Sequence, residues 1–228
     1  MANILVLDTL GVDTSVAWVV DGVIYHHAMT RYKHADVLGE CLGRLTDSHT
    51  ATLRDIDLLV VNIGPGSFTG LRVGIASSQA IAWAHSIPVW PVSHLLGCAY
   101  QAHWSTHLNG VDNGIALTQD LLQAPQWQAA RYHVALDARM QEVYSGRFYS
   151  ESDPWINAVE SECLLSVDTL VKSEVSDIAI GDGWPEVSSP FAISWAAVMA
   201  MVAWYRYKQL DVVSADKLQA VYLRNRVV

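Results

Sequence analysis

Basic residues are scarce in this chain, with 14 Lys and Arg against 23 Asp and Glu in 228 residues and a formal charge of −9. Holding a phosphate backbone requires clustered cations, so the balance excludes a chain that grips nucleic acid by itself. A charged partner is expected to be basic. Cysteine is scarce as well: Cys41, Cys98 and Cys163 are odd in number, widely separated and in no C-x-x-C pair. That excludes a disulfide framework and a zinc knuckle, and a reducing cytoplasm fits best. The longest apolar run, 191–204, is shorter than the about 20 residues that a bilayer requires. It reads as a buried helix, with no membrane role. The N-terminus enters an apolar strand at Ile4 without a basic stretch or cleavage signature, so no signal peptide is expected.

What is abundant is apolar: 51% hydrophobic and 16% charged residues suffice for a buried core without staples, in one large or two small domains. The most informative stretch is Gly64-Pro65-Gly66-Ser67-Phe68-Thr69-Gly70-Leu71-Arg72-Val73-Gly74, between an apolar strand at 58–63 and a helix at 69–84. Two readings compete there. Gly64, Gly66 and Gly70 can bring backbone N–H groups to an anion at the positive end of the helix. Alternatively they only permit a sharp turn, with Pro65 fixing one φ and Thr69 capping the helix. The run is neither G-x-x-x-x-G-K-[ST] nor G-x-G-x-x-G, and no lysine follows it.

Strand composition at 4–9, 16–20 and 23–29, with Asp21-Gly22 as a hairpin signal, predicts three antiparallel strands. Leu38, Cys41, Leu42 and Leu45 mark an amphipathic helix over 33–48. After the glycine turn and its helix come a short edge-like strand at 87–92 and a helix capped by Ser93 through about 102. The stretch 107–131 reads as a linker. Strands at 132–136, 143–149 and 158–165, a short helix near 167–172, a strand at 177–181 and a helix at 194–209 repeat the theme. The chain therefore divides into two related α/β lobes, 1–106 and 107–228.

Ile4-Leu5-Val6-Leu7-Asp8-Thr9, the glycine run, Ile87-Pro88-Val89 with Val92-Ser93, Leu136-Asp137-Ala138-Arg139-Met140-Gln141-Glu142-Val143-Tyr144, Gly181-Asp182-Gly183-Trp184 and Val221-Tyr222-Leu223-Arg224-Asn225 together resemble the TsaB/YeaZ family over nearly the whole length. The resemblance implies a two-lobed actin/Hsp70-like (ribonuclease H-like) fold, each lobe a mixed sheet flanked by helices. It further implies a non-catalytic subunit in threonylcarbamoyladenosine formation on tRNA, paired with a TsaD-type transferase and joined by a TsaE-type ATPase. In such a protein the two N-terminal helices pack against the partner, or against a second copy when the partner is absent. Transfer RNA is met only through the complex. No cofactor is held tightly, although ATP or ADP with Mg has a place at a composite site shared with the partner.

The residues singled out follow from this. Asp8, Thr9, Gly64, Gly66, Ser67, Thr69 and Gly70 are the nucleotide-loop candidates; Asp8 alternatively hydrogen-bonds its own loop. Leu38, Gly39, Leu42, Gly43, Arg72, Val73, Ala76 and Ala80 are the interface candidates, because glycines in a helix interior cost about 1 kcal/mol each relative to alanine and allow another helix to approach. No catalytic residue is assigned: Ser67 lacks His and Asp partners for a triad, and Asp137 and Arg139 read as a turn with an ion pair. No metal is expected. His26 and His27 point to opposite faces of a strand; of the four-residue pairs, His94/Cys98 reads as a first-turn helix residue and a small core residue, and His103/His107 runs into Asn109-Gly110, where the helix is expected to fray. A stand-alone ATPase or kinase using Asp8 and the glycine turn, and a metal hydrolase on His94 and Cys98, are the competing functions.

Overall fold

A computed structural model describes residues 2–11, 13–29, 34–48, 52–105, 115–116, 127–170, 177–184, 186–187 and 193–224. The expected boundary at 106/107, His107, Asn225 and most of the expected linker lie outside these. The first sheet contains β1 (Ile4–Asp8), β2 (Thr14–Val20), β3 (Val23–Met29), β4 (Leu58–Asn62), β5 (Val89–Val92) and β6 (Ile115–Ala116), in the order β5-β4-β1-β2-β3-β6. β1, β2 and β3 are antiparallel, whereas β4 and β5 run parallel to β1. The β2–β3 turn is Asp21-Gly22, both at positive φ, as a two-residue hairpin with the right-handed strand twist requires. β1 and β4 are apolar almost throughout because both faces of the sheet are covered. Helices α1 (His34–Ser48) and α2 (Phe68–His85) lie on one face, and α4 (Trp195–Arg206) packs on β1, β2 and β3.

The second sheet contains β7 (Ala130–Arg139), β8 (Glu142–Ser150), β9 (Asn157–Ala158), β10 (Cys163–Ser166) and β11 (Ile178–Ile180), ordered β10-β8-β7-β11 with β9 beside β8. Its logic repeats the first: β7 and β8 form a hairpin as β1 and β2 do, and β11 runs parallel to β7 as β4 does to β1. Helix α3 (His94–Ser105) packs on this sheet and against α4. One apolar core thus runs from Ile4, Val6 and Val19 through Leu95, Trp104, Val198 and Val202 to Tyr132, Val134 and Phe148. The two inner helices meet at Gly97, where a Cβ would stand 1.8 Å from the Trp195 indole nitrogen.

Three local expectations need correction. Ser67, not Thr69, caps α2: its hydroxyl accepts the Gly70 N–H at 3.3 Å, and Thr69 is an exposed residue of the first turn. The strand expected at 158–165 is two strands, because the register against β8 shifts by two residues between Ala158↔Phe148 and Cys163↔Ser145. The helix expected at 167–172 is, among the described residues, a single 3-10 turn over Val167–Thr169. Within the expected linker, β6 pairs with Val23 and Ile24 of β3.

After α4 the chain returns across both sheets. Val213 exchanges backbone hydrogen bonds with Val89 (2.8 and 2.9 Å), covering the β5 edge. A 3-10 turn over Ala215–Lys217 lies beneath α2, and Gln79 donates to the Leu218 carbonyl at 3.0 Å. Val221 then donates to Ile63 at the glycine turn (2.8 Å), and Arg224 reaches the β7–β8 hairpin.

Candidate functional site

The glycine turn is built from the sheet outward. Gly64 has φ +98, and a side chain there would also meet the Val221 carbonyl at 2.9 Å. Its amide donates to Asn62 Oδ1 at 3.2 Å, and Asn62 Nδ2 in turn donates to Asp8 Oδ1 at 2.9 Å. At the start of α2, a Cβ on Gly70 would lie 2.1 Å from the Thr9 carbonyl and one on Gly74 would lie 2.5 Å from Thr9 Oγ1. Thr9 is buried and donates its hydroxyl to the Gly70 carbonyl at 2.7 Å. These glycines let the helix settle on the end of β1. Gly66 stands beside Leu10 and His94, each 3.4 Å from where its Cβ would be.

Asp8 is only 3% exposed. Its carboxylate accepts from Leu10 N (3.0 Å), Asn62 Nδ2 and Ser15 Oγ (3.4 Å). Burial raises its pKa, against the attraction of His94 and these three donors. The lone pairs of this carboxylate are taken by Leu10, Ser15 and Asn62 with almost no solvent access, whereas a hydrated Mg²⁺ takes free oxygen ligands. Of the nucleotide-loop candidates, Asp8, Thr9, Gly64 and Gly70 are buried, whereas Ser67 and Thr69 stand exposed at the start of α2. Ser67 is a helix cap. His94 is buried, its Nδ1 3.1 Å from the Pro65 carbonyl, and Cys98 is a buried thiol that burial pushes up from its ordinary value. No group of three His, Cys, Asp or Glu placed to hold a metal occurs among the described residues.

The other strand-end acids are equally occupied. Asp137 holds Arg139 at 3.0 Å and accepts its backbone N–H, while Glu142 is paired with Arg224. Glu162 accepts a short hydrogen bond from Ser93, whose oxygen also accepts from Leu95 N and Leu96 N and so caps α3. Burial holds the Glu162 carboxyl above the usual range.

The outer face of α2 is different. Gly70, Gly74, Ser78 and Ala82 face the sheet, whereas Arg72, Ala76 and Ala80 continue in an exposed line to Trp83, which is 74% exposed. Apart from Arg72 and His85, the helix carries no basic or acidic side chain. A solvated helix face is normally polar, and this one is not. Beside it, Gly39 and Gly43 of α1 would each accept a Cβ with no atom within 4 Å. Leu42 and Val73 are half-buried. Leu38, expected at this surface, is instead buried in the chain's own core with Val37 and Cys41. Trp83 is not among the expected interface residues, although its position three residues after Ala80 places it on the same line.

The glycine turn, the paired sheets and the bare helix face define an actin-like two-lobed α/β protein whose glycine-rich loop packs against the end of β1. The family model described as tRNA N6-adenosine threonylcarbamoyltransferase (TsaD) matches residues 26–113. The tRNA threonylcarbamoyladenosine biosynthesis protein TsaB of Haemophilus influenzae is 28% identical over 99% of this chain and 94% of its own length. That of Escherichia coli is 26% identical over 99% and 96%. The structure of YeaZ from Pseudomonas aeruginosa superposes with a TM-score of 0.77 at 26% identity, covering 98% of this chain and 100% of that one. Over nearly its whole length the chain thus resembles the TsaB/YeaZ proteins.

Proposed function

We propose that this chain is the non-catalytic partner subunit for threonylcarbamoyl transfer to tRNA, pairing through the outer faces of α1 and α2 with a TsaD-type transferase. The observation that carries this is the face of Arg72, Ala76, Ala80 and Trp83, apolar where a solvated helix would be charged. Gly39 and Gly43 beside it leave room for a facing helix. The TsaB names of the relatives support the pathway, and a TsaE-type ATPase completes the assembly. In the absence of the transferase the same face joins a second copy. Transfer RNA is met through the complex, as the charge of −9 favours. Since Asp8 is closed off, any ATP or ADP at a composite site takes its metal and phosphate ligands from the partners. The stand-alone ATPase and the His94/Cys98 hydrolase draw no support from these buried groups.

The test is size-exclusion chromatography with light scattering on the chain mixed with its organism's TsaD-type transferase. The wild type is expected to form a heterodimer. Gly39→Leu/Gly43→Leu and Ala76→Arg are expected to abolish it while the chain keeps its melting temperature. A wild type that stays apart from the transferase at micromolar concentrations would refute the proposal.

A further inference from the structure

At the N-terminal end of α2 the exposed line does not stop. The Arg72 guanidinium lies over the Phe68 ring at 3.9 Å, and that ring is 6.2 Å from the Tyr222 ring of the C-terminal tail. Two residues later, Arg224 donates to the Ala138 and Arg139 carbonyls (3.0 and 3.3 Å), pairs with Glu142 and touches Met140 Sδ at 3.4 Å. Phe68, Tyr222 and Met140 are 50%, 51% and 69% exposed. They form a ridge from the first lobe to the second. Its far end is rigidly built: Arg139, Met140 and Gln141 all have positive φ (65, 58 and 60), a conformation that side-chain-bearing residues rarely adopt and that the Arg224 clamp holds.

We infer that the partner covering the α2 face also covers this ridge, so that its interface spans both lobes and draws on Phe68, Tyr222 and Met140. Arg72 belongs to both surfaces, and a partner in contact with it meets the Phe68 ring and then Tyr222. The chemistry fits a protein rather than RNA. Arg139 and Arg224 are already neutralised by Asp137 and Glu142, leaving aromatic rings and a methionine of the kind enriched in protein interfaces. Arg72 stacks on a ring and has no carboxylate partner among the described residues. The occupant is thus a protein surface with an apolar pocket and a carboxylate opposite Arg72. This inference rests on the partner reading above.

The experiment is calorimetric titration of the full chain with the TsaD-type transferase, comparing wild type with Phe68→Ala, Tyr222→Ala, Met140→Ala and, as a control on an exposed residue just after β9, Val159→Ala. Phe68→Ala and Tyr222→Ala are each expected to raise Kd about tenfold and Met140→Ala about threefold, as for truncated interface anchors. Val159→Ala should leave Kd unchanged, Phe68→Tyr and Tyr222→Phe should restore most of the affinity, and melting temperatures should not move. Kd values within twofold of a wild type that does bind would overturn the inference and spare the partner reading. So would intact pairing with lost capture of tRNA or of the TsaE-type ATPase, which would assign the ridge to those molecules. A wild type that does not bind at all overturns both.

Discussion

The two lobes contain the same turn put to different local use. After β4 the chain bends at Gly64 (φ +98), and Gly70 settles on the Thr9 carbonyl just beyond β1; after β11 it bends at Gly181 (φ +96), where a Cβ would stand 2.2 Å from the Ala135 carbonyl of β7. Both turns bring a parallel strand's exit against a carbonyl of the neighbouring strand, just beyond β1 at Thr9 and within β7 at Ala135, where only a residue without a side chain fits. The acids at those ends then diverge. Asp8 is sealed beneath its loop, while Asp137 sits on an open hairpin held by Arg139. The comparison teaches that the glycine pattern is a demand of sheet packing made twice.

The sharpest way to break that comparison is to add a methyl group at each turn. Gly70→Ala and Gly181→Ala should each lower stability by about 3 kcal/mol, because the intruding Cβ meets backbone and cannot be relieved by a rotamer change. Chemical denaturation measures it. A Gly70→Ala chain as stable as wild type would separate the turns and return the first to phosphate binding.

Next in size is the contrast between the acids. Asp8→Ala strands the Leu10 and Asn62 donors and should cost about 2 kcal/mol, whereas Asp137→Ala removes an exposed pair and should cost under about 0.5 kcal/mol. Equal losses in urea melts would mean that Asp8 is as accessible as Asp137.

Asp8→Asn sharpens the point through pH. The folded protein holds the Asp8 proton more tightly than the unfolded chain, whose value is 3.8, because burial raises it. The stability contribution is therefore full below 3.8 and is lost as pH rises through the raised value. Glu162 adds a slope of the same sign. Asp8→Asn should flatten the wild-type decline and leave the Glu162 portion; superimposable pH profiles of the two proteins would contradict the sealed carboxyl.

The smallest stability effect is expected outside the turns. Trp83→Ala should change the melting of the isolated chain by no more than about 0.5 kcal/mol, as its side chain is mostly in solvent. Its pairing with the transferase should weaken about tenfold in the same titration. A Trp83→Ala chain that pairs normally would remove this end of α2 from the interface.

Much of this architecture was readable in the chain. The hairpin at Asp21-Gly22, the strand, turn and helix around residue 64, and the repetition of strands in the second half follow from local chemistry, and each appears within a few residues of its expected place. The misplaced cap at Thr69 reflects competition between two hydroxyls two residues apart, which only the helix's first hydrogen bonds decide. Leu38 was assigned outward because helical periodicity identifies an apolar face but not which of two neighbouring bodies covers it. Asp8 is the deeper case. A strand-end aspartate beside a glycine turn has the same sequence whether its oxygens point to water or to Asn62 and Ser15, residues 54 and 7 positions away.

Arg224 closes on carbonyls made more than 80 residues earlier. During synthesis, then, the first lobe, its glycine turn and the second-lobe hairpin can all leave the ribosome before the segment that fastens them together. A nascent chain in that condition displays Phe68 of α2 without its aromatic neighbour Tyr222.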